Sequence, residues 1–457
     1  MSFKTFLGQA ARLSAVSAAV VCSVSAHAAP NTLVGWAQMA AATFSDGPTS
    51  GQFAFTNANS PANNPPYVNA QPVQGFSGVL AGPNGSYHML VDNGFGAKGN
   101  SQDSLLRMYG VNVNWANHSV SAANFNTGTS LPGYTDTSRI TLNDANRKLP
   151  FGIVADGATY PGSTIAVAPS ITSGRLLTGG DLDLESVRRD KNGKLWFGEE
   201  FGPFLVKTDA TGTVQSVFRT PNVLSQGSNP YVQSPSSPLS SGAVNLPGSG
   251  GFEGMALNAS GSKLYTMLER PLTTDADQKR LLVQEFDLSS EAFTGDWFGY
   301  KLDAMGTNIG DMTAIDDNRF LVIERNGCTA TNVATCGTPF KKIFMVDQSQ
   351  RDADGFGLKT ELVDLMNIAD PNDLNGDGST TFTFPYVTIE DVLLINPTPL
   401  LVVNDNNFPG GGGRNLASDP TEFLMINLAN PVPEPESWAM ALCGLGLLGR
   451  LACRKAK

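Results

Sequence analysis

The chain has 457 residues, with 41 Asp and Glu against 30 Lys and Arg, a formal net charge of −11, and 48 glycines and 28 prolines breaking it into short apolar runs. This acidic balance excludes nucleic acid as a partner, which needs a basic face. With no long amphipathic helix, the composition implies an all-β chain with many turns.

Residues 1–28 open on Lys4 and Arg12, run apolar from Ala15 to Val24 and end in Ala26-His27-Ala28, the pattern of a secretory signal peptide that leaves Ala29 as the first mature residue. Removing its two basic residues, and the four beyond Glu436, takes the net charge from −11 to about −17. A cation is the natural partner of so acidic a chain.

Five segments then repeat one pattern. Each has a short strand carrying an acid, a turn rich in Asn, Asp or Gly, and a second apolar strand ending in acids or amides. They are Phe76-Ser77-Gly78-Val79 with Tyr87 to Asp92, Leu184-Glu185-Ser186-Val187 with Leu195 to Glu200, and Phe252-Glu253-Gly254-Met255 with Leu264 to Arg270. Gly310-Asp311-Met312-Thr313 with Phe320 to Asn326, and Ile389-Glu390-Asp391-Val392 with Leu400 to Asn406, complete the set. Repeated small antiparallel sheets at irregular spacing imply a β-propeller with long inter-blade loops, at 57–75 and 222–251. Six blades are expected, the sixth lying in residues 112–180, where the pattern is weak.

Cys328 and Cys336 are the only mature cysteine pair, and an exported protein is expected to bridge them around a polar loop. Asp373-Leu374-Asn375-Gly376-Asp377-Gly378 matches the first half of an EF-hand loop, but its twelfth position is Phe384 rather than Glu, which leaves a peripheral Ca²⁺ loop and an Asx-rich turn equally open. From Val432 the chain reads Val-Pro-Glu-Pro-Glu, then an apolar stretch from Trp438 to Leu448, too short for a comfortable membrane span, then Arg450, Arg454, Lys455 and Lys457.

In a propeller the innermost strand of every blade starts at the central channel, so repeat-matched residues meet on one axis. Glu185, Glu253, Asp311 and Glu390 are matched in this way, and a second ring adds Asp92, Glu199, Glu200, Glu269, Glu324 and Asp405. Converging carboxylates raise one another's pKa and cost stability unless something positive sits among them. A hard divalent cation held through oxygen resolves this, with Ca²⁺ favoured over Mg²⁺ by its tolerance of irregular coordination. The alternative for each acid is a cap on its own blade. Arg270 and Arg325 follow their blade acids and either neutralise the cluster or hold a substrate oxyanion. No Gly-x-Ser-x-Gly elbow is present, and neither mature histidine, His88 or His118, belongs to a recognisable triad. Hydrolysis, if performed, would therefore use metal-activated water with a carboxylate base.

Taken together, the Glu185, Glu199-Glu200-Phe201-Gly202-Pro203, Gly251-Phe252-Glu253-Gly254, Phe320 to Arg325, Ile389 to Val392 and Val403 to Phe408 segments resemble the phytase-like domain known as "esterase-like activity of phytase", over roughly residues 70–428. The resemblance implies a propeller and a phosphoester or ester hydrolase in the 29–430 domain, with Glu185, Glu253, Asp311 and Glu390 as catalytic acids. It further implies Glu200, Glu269, Glu324 and Asp405 as metal ligands and Arg270 and Arg325 as substrate contacts. Ser77 departs from the pattern where an acid is expected, and Asp391 where a Gly is usual. Residues 431–457 resemble a PEP-CTERM sorting signal, which implies an exosortase as partner during sorting and a surface or matrix location, held transiently at the membrane. Two functions follow: a Ca²⁺-dependent hydrolase of a small ester or phosphoester, or a non-catalytic Ca²⁺-binding matrix protein associated with exopolysaccharide.

Overall fold

The computed structural model describes residues 30–429 apart from 225–226, 240–241 and 396–397. The signal peptide and the sorting tail lie outside the described residues.

The first sheet is built from β2 (Phe76–Ala81), β3 (Tyr87–Val91), β4 (Arg107–Asn114) and β5 (Ser119–Ala122). The second contains β6 (Leu184–Arg189), β7 (Leu195–Glu199), β8 (Phe204–Thr208) and β9 (Val214–Arg219), and the third β10 (Phe252–Leu257), β11 (Lys263–Leu268), β12 (Arg280–Asp287) and β13 (Ala292–Lys301). In the fourth are β14 (Asn308–Ala314), β15 (Arg319–Arg325), β16 (Lys341–Arg351) and β17 (Gly357–Asp364). The fifth takes β18 (Ile389–Leu394), β19 (Leu400–Asn404) and β20 (Thr421–Asn427), and its outer strand, β1 (Thr32–Met39), comes from the beginning of the chain. β1 pairs antiparallel with β20, Trp36 opposite Leu424, so the two ends of the domain close one sheet. A single parallel pairing, Gln38 with Ser119, links that sheet to the first.

Neighbouring sheets bury apolar faces against each other. Leu90, Val187 and Phe197 lie between the first and second, Trp196, Met255 and Phe286 between the second and third, and Met267, Met312 and Phe320 between the third and fourth. Ile323, Val392 and Val402 fill the next junction, and Phe76, Met89 and Val403 close the circle. Each large side chain buried in this way contributes roughly 1.5–3 kcal/mol. Because every inner strand packs on a sheet at either side, it is buried on both faces, as in β10 and β14, each buried up to its last residue. The inner strands touch in the cyclic order β2, β6, β10, β14, β18 and back to β2. The arrangement is all-β and propeller-like. The hairpin turns follow the chemistry of their residues: in Asp190 to Lys194, Gly193 takes a φ of +76° while the Asp190 carboxylate accepts the Asn192 and Lys194 N–H groups.

Among the described residues there are five such sheets, not the six expected. Residues 112–180 supply β5 and a short strand, Arg139–Thr141, both paired with β4, and then irregular chain with a helical turn at Pro169–Gly174. Their apolar residues come singly, and Ile153, Tyr160, Ile171 and Leu177 plug the junction of the first two sheets instead of forming a ladder.

Candidate functional site

Each of the five sheets breaks its ladder register once between its innermost two strands. The inner-strand residue left unpaired is Ser77, Glu185, Glu253, Gly310 or Glu390. A bulge of this kind re-aims one side chain without disturbing the rest of the strand. One residue past the pair that flanks the bulge, the second strands place Asp92, Glu200, Glu269, Arg325 and Asp405 at matching positions. The two rings converge. Glu185, Glu253 and Glu390 lie with carboxylate oxygens within 4.8 Å of one another, as do Glu200, Glu253 and Glu269, and as do Asp183, Glu185 and Glu200.

The fourth sheet breaks both rings in a compensating way. Gly310 has no side chain, and a Cβ there would lie 1.8 Å from the Ile389 carbonyl oxygen. Arg325 fills the second ring with a guanidinium, and its Nη2 donates to Glu253 Oε1 at 3.2 Å, Glu269 Oε1 at 3.2 Å and Glu390 Oε1 at 3.1 Å. Gly310→Ala should therefore cost about 1–3 kcal/mol in urea unfolding, the range for forcing an extra carbon into a packed interior, and an unchanged midpoint would contradict the close approach.

Asp311 and Glu324, both expected in the site, lie elsewhere. Asp311 is one residue beyond the bulge, so it aligns with Asp391 and not with Glu253 or Glu390. Arg188 Nη2 donates to Asp311 Oδ1 at 3.0 Å, and Val392 N–H to Asp311 Oδ2 at 3.0 Å. Since the second and fourth sheets are not neighbours in the ring, this ion pair spans the central channel. Asp391 beside it has no hydrogen-bond partner on either oxygen, and burial together with the Asp311 charge holds its carboxyl well above the usual range. Glu324 precedes Arg325 on an extended strand and so points the other way, taking hydrogen bonds from the Tyr300 hydroxyl at 2.6 Å and the Asp303 N–H at 2.6 Å, and an ion pair from Lys359. Glu199 is the same position in the second sheet, and it caps the Phe201 and Gly202 N–H groups.

Asp183 was missed by the repeat alignment because it precedes the repeated segment. Alternation was the available signal, since Asp183 and Glu185 are two apart on one extended stretch. Its carboxylate accepts Asn93 N–H and Nδ2, the latter at 2.6 Å.

Burial is the largest influence on every one of these acids. It lifts the carboxyls of Asp92, Glu185, Glu200 and Glu253 well above the ordinary range, and neighbouring carboxylates lift them further. Asp183 and Glu269 are raised as well by burial, Glu269 against the pull of Arg325 and Arg270. Glu390 is pushed up to about 8 by burial, against the pull of Arg325, while Asp405 rises to about 6. Ser77 shares in the site by donating to Glu390 Oε2 at 3.0 Å.

These donors fit a hard divalent cation. They are all oxygen, they come in trios spaced as ligands around one ion of 2.3–2.6 Å bond length would be, and Glu269 Oε2 is buried with no hydrogen-bond partner. Asp183, Glu185 and Glu200 form the trio from which Arg325 takes no oxygen. The cluster meets solvent at a cleft of about 310 Å³ where Asp92 and Asp405 stand under Phe55, Phe95, Tyr386 and Phe408. Part of the expected 57–75 loop, at Gln74, lines this cleft, and Asn57 Nδ2 ties the loop to Pro409 O across it. The Arg270 side chain is 41% exposed, with its Nε 3.6 Å from Glu269 Oε2.

Residues 71–408 match the family described as "Esterase-like activity of phytase". The chain belongs to the phytase-like family. Residues 431–456 match the PEP-CTERM protein-sorting motif, which marks this phytase-like protein for export and exosortase-mediated, membrane-linked sorting. No curated protein matches it in sequence. Among solved structures it is similar to a luciferin-regenerating enzyme (11% identity, 87% of this chain and 98% of that chain, TM-score 0.33) and to a GH43 β-1,3-galactosidase (9%, 83% and 60%, TM-score 0.37). It is also similar to native Bacillus subtilis arabinanase (9%, 77% and 92%, TM-score 0.34). Likenesses this loose leave activity open.

The remaining motifs of the phytase-like chain are structural. Cys328 and Cys336 are joined as a disulfide. In the Asp373 to Gly378 loop the carboxylates of Asp373 and Asp377 accept N–H groups of Gly378 and Ser379, the bonding that an Asx-rich turn makes. His88 stacks on Phe125 and is hydrogen bonded to its carbonyl, and burial holds it near 4, neutral at physiological pH. Among the described residues no helix is long and apolar enough to cross a membrane.

Proposed function

We propose that this protein is an exported, cation-dependent hydrolase of a small ester or phosphoester, built on a five-bladed propeller whose axial acids are its working site. The observation that carries this reading is the convergence of eight carboxylates, Asp92, Asp183, Glu185, Glu200, Glu253, Glu269, Glu390 and Asp405, of which Arg325 bonds only Glu253, Glu269 and Glu390. One positive charge leaves most of them uncompensated, which suits Ca²⁺. Asp183, Glu185 and Glu200 would hold it, and Ca²⁺ there would supply charge for an oxyanion and lower the pKa of a bound water. Glu253 and Glu390 are held by Arg325 through its Nη2, which positions them. Arg270, 41% exposed beside Glu269, is the cation that would meet a substrate anion. Asp405 lines the cleft with a carboxyl raised to about 6, close to what a general base needs near neutral pH.

Purified protein should hydrolyse at least one of p-nitrophenyl phosphate, p-nitrophenyl acetate and phytate with Ca²⁺ and not with EDTA, and Asp405→Asn should lower kcat by about a hundredfold. Turnover that survives EDTA, or no turnover on any of the three, would overturn the hydrolase. The three carboxylates gathered on Arg325 Nη2 and the PEP-CTERM match favour a second reading, a Ca²⁺-binding matrix protein that holds exopolysaccharide. A Ca²⁺-dependent rise in Tm without any turnover would select it.

A further inference from the structure

A second and larger cleft, of about 910 Å³, lies on the outer side of the first sheet, apart from the axial acids. In a chain with a net charge of −11, its chemistry has the opposite sign. Arg107, on β4, is only 3% exposed, and its Nη1 is fixed by the Ser45 hydroxyl at 2.8 Å, Asp46 O at 3.0 Å and the Tyr109 hydroxyl at 3.1 Å. The rest of this guanidinium is unspent. Its Nε is buried without a partner, and Nη2 meets the space over Gly47, where a Cβ would come within 3.0 Å of it. Glycine at position 47 is what lets the guanidinium lie there, since a Cβ would also meet Gln71 Cγ at 2.7 Å. Arg139 stands beside it, bonded through Nη1 to Asp46 Oδ1 at 2.6 Å. Asp46 is the one carboxylate lining the cleft, and the two arginines hold it ionised by lowering its pKa. The loop carrying these groups is fixed from behind by Asp103, which accepts the Gly51 and Gln52 N–H groups at 3.0 and 2.8 Å.

We propose that this cleft is a binding site for a small hydroxyl-rich carboxylate, the chemistry of a sugar acid. Two guanidiniums and one carboxylate leave a net charge of +1, which a monoanion neutralises. A buried guanidinium with unmet N–H groups is well suited to the planar, forked geometry of a carboxylate. Around the arginines, Asn69, Thr141 and Ser170 offer amide and hydroxyl groups at the wall, the donors and acceptors that a polyol body needs. Burying Arg107 with hydrogen-bonding capacity left over costs stability, and an incoming oxyanion removes that cost.

The test is calorimetric titration of the purified protein with glucuronate, glucose and inorganic phosphate. Glucuronate should bind, with glucose at least about tenfold weaker, since a hydrogen bond to a charged group is worth roughly that factor. Arg139→Gln should weaken glucuronate by about tenfold. The side-chain hydrogen bond this variant removes goes to Asp46 Oδ1, so the bonds that Arg107 makes to the fold are kept. Asp405→Asn, in the axial cleft, should leave glucuronate binding unchanged. Equal binding of glucose and glucuronate, binding of phosphate with glucuronate left unbound, no binding of any probe, or an Arg139→Gln protein that binds glucuronate as tightly as the parent would each overturn the assignment.

Discussion

Arg325→Met is expected to destabilise the folded chain by about 3–5 kcal/mol at pH 7 in metal-free buffer, the range for removing one partner from a buried ion cluster. Methionine replaces most of the volume, so the loss is electrostatic in origin. Glu253, Glu269 and Glu390 would each lose the hydrogen bond they take from the guanidinium, in a setting where burial already opposes their charge. At pH 5 the penalty should shrink, because the carboxyls can stay protonated. Urea denaturation at the two pH values checks both parts, and a loss below about 1 kcal/mol at pH 7 would mean that the cluster does not depend on this cation.

In EDTA, the stability of the parent protein should fall as pH rises from 5 to 8, opposite to ordinary acid denaturation. A carboxyl whose pKa is raised on folding binds its proton more tightly in the folded chain, so its contribution is present at low pH and lost as pH climbs through the folded value. Asp405 covers the part of the window up to about 6 and Glu390 the part up to about 8, with the other axial acids raised in the same direction. His88, lowered to about 4, Lys341, lowered to about 6 by burial and by Arg325, and Lys359, lowered by burial, act in the opposite sense, but the eight axial acids are joined by Asp181, Glu199 and Asp391, which burial also raises. Surface acids that are held low, such as Asp46 and Asp156, finish titrating below this window. Tm in EDTA should drop by on the order of 5 °C across the window, and 1 mM Ca²⁺ should restore more of it at pH 8 than at pH 5. A Tm that rises steadily from pH 5 to 8 in EDTA would show that the acids are not crowded.

Most of this site was legible because each acid follows a short apolar run, and runs of that kind can be aligned by eye. Glu185, Glu253 and Glu390 came out of that alignment, and so did Glu200, Glu269 and Asp405. What the alignment could not show is the bulge, because one unpaired residue shifts the register by a single place and a single place reverses the direction of the side chain. Asp311 was matched to Glu253, although Ile309-Gly310-Asp311 aligns better with Ile389-Glu390-Asp391, where the second acid is also off the ring. Glu324 was taken as a ligand when its neighbour Arg325 holds the ring position. The role of Arg325 depends on Gly310 beside it, a pairing between two strands that no single segment carries. Five sheets rather than six follow from closure of the last by β1, whose residues Thr32–Met39 carry no repeat motif at all.

Calorimetric titration of the metal-free protein with Ca²⁺ at pH 8, alongside Glu200→Gln, tests the central claim most directly. Binding by the parent, weakened at least roughly tenfold when that one carboxylate becomes an amide, is the predicted result, because Ca²⁺ affinity is set by the charge count of its ligands. No heat of binding from the parent, or the same affinity in both proteins, would contradict it.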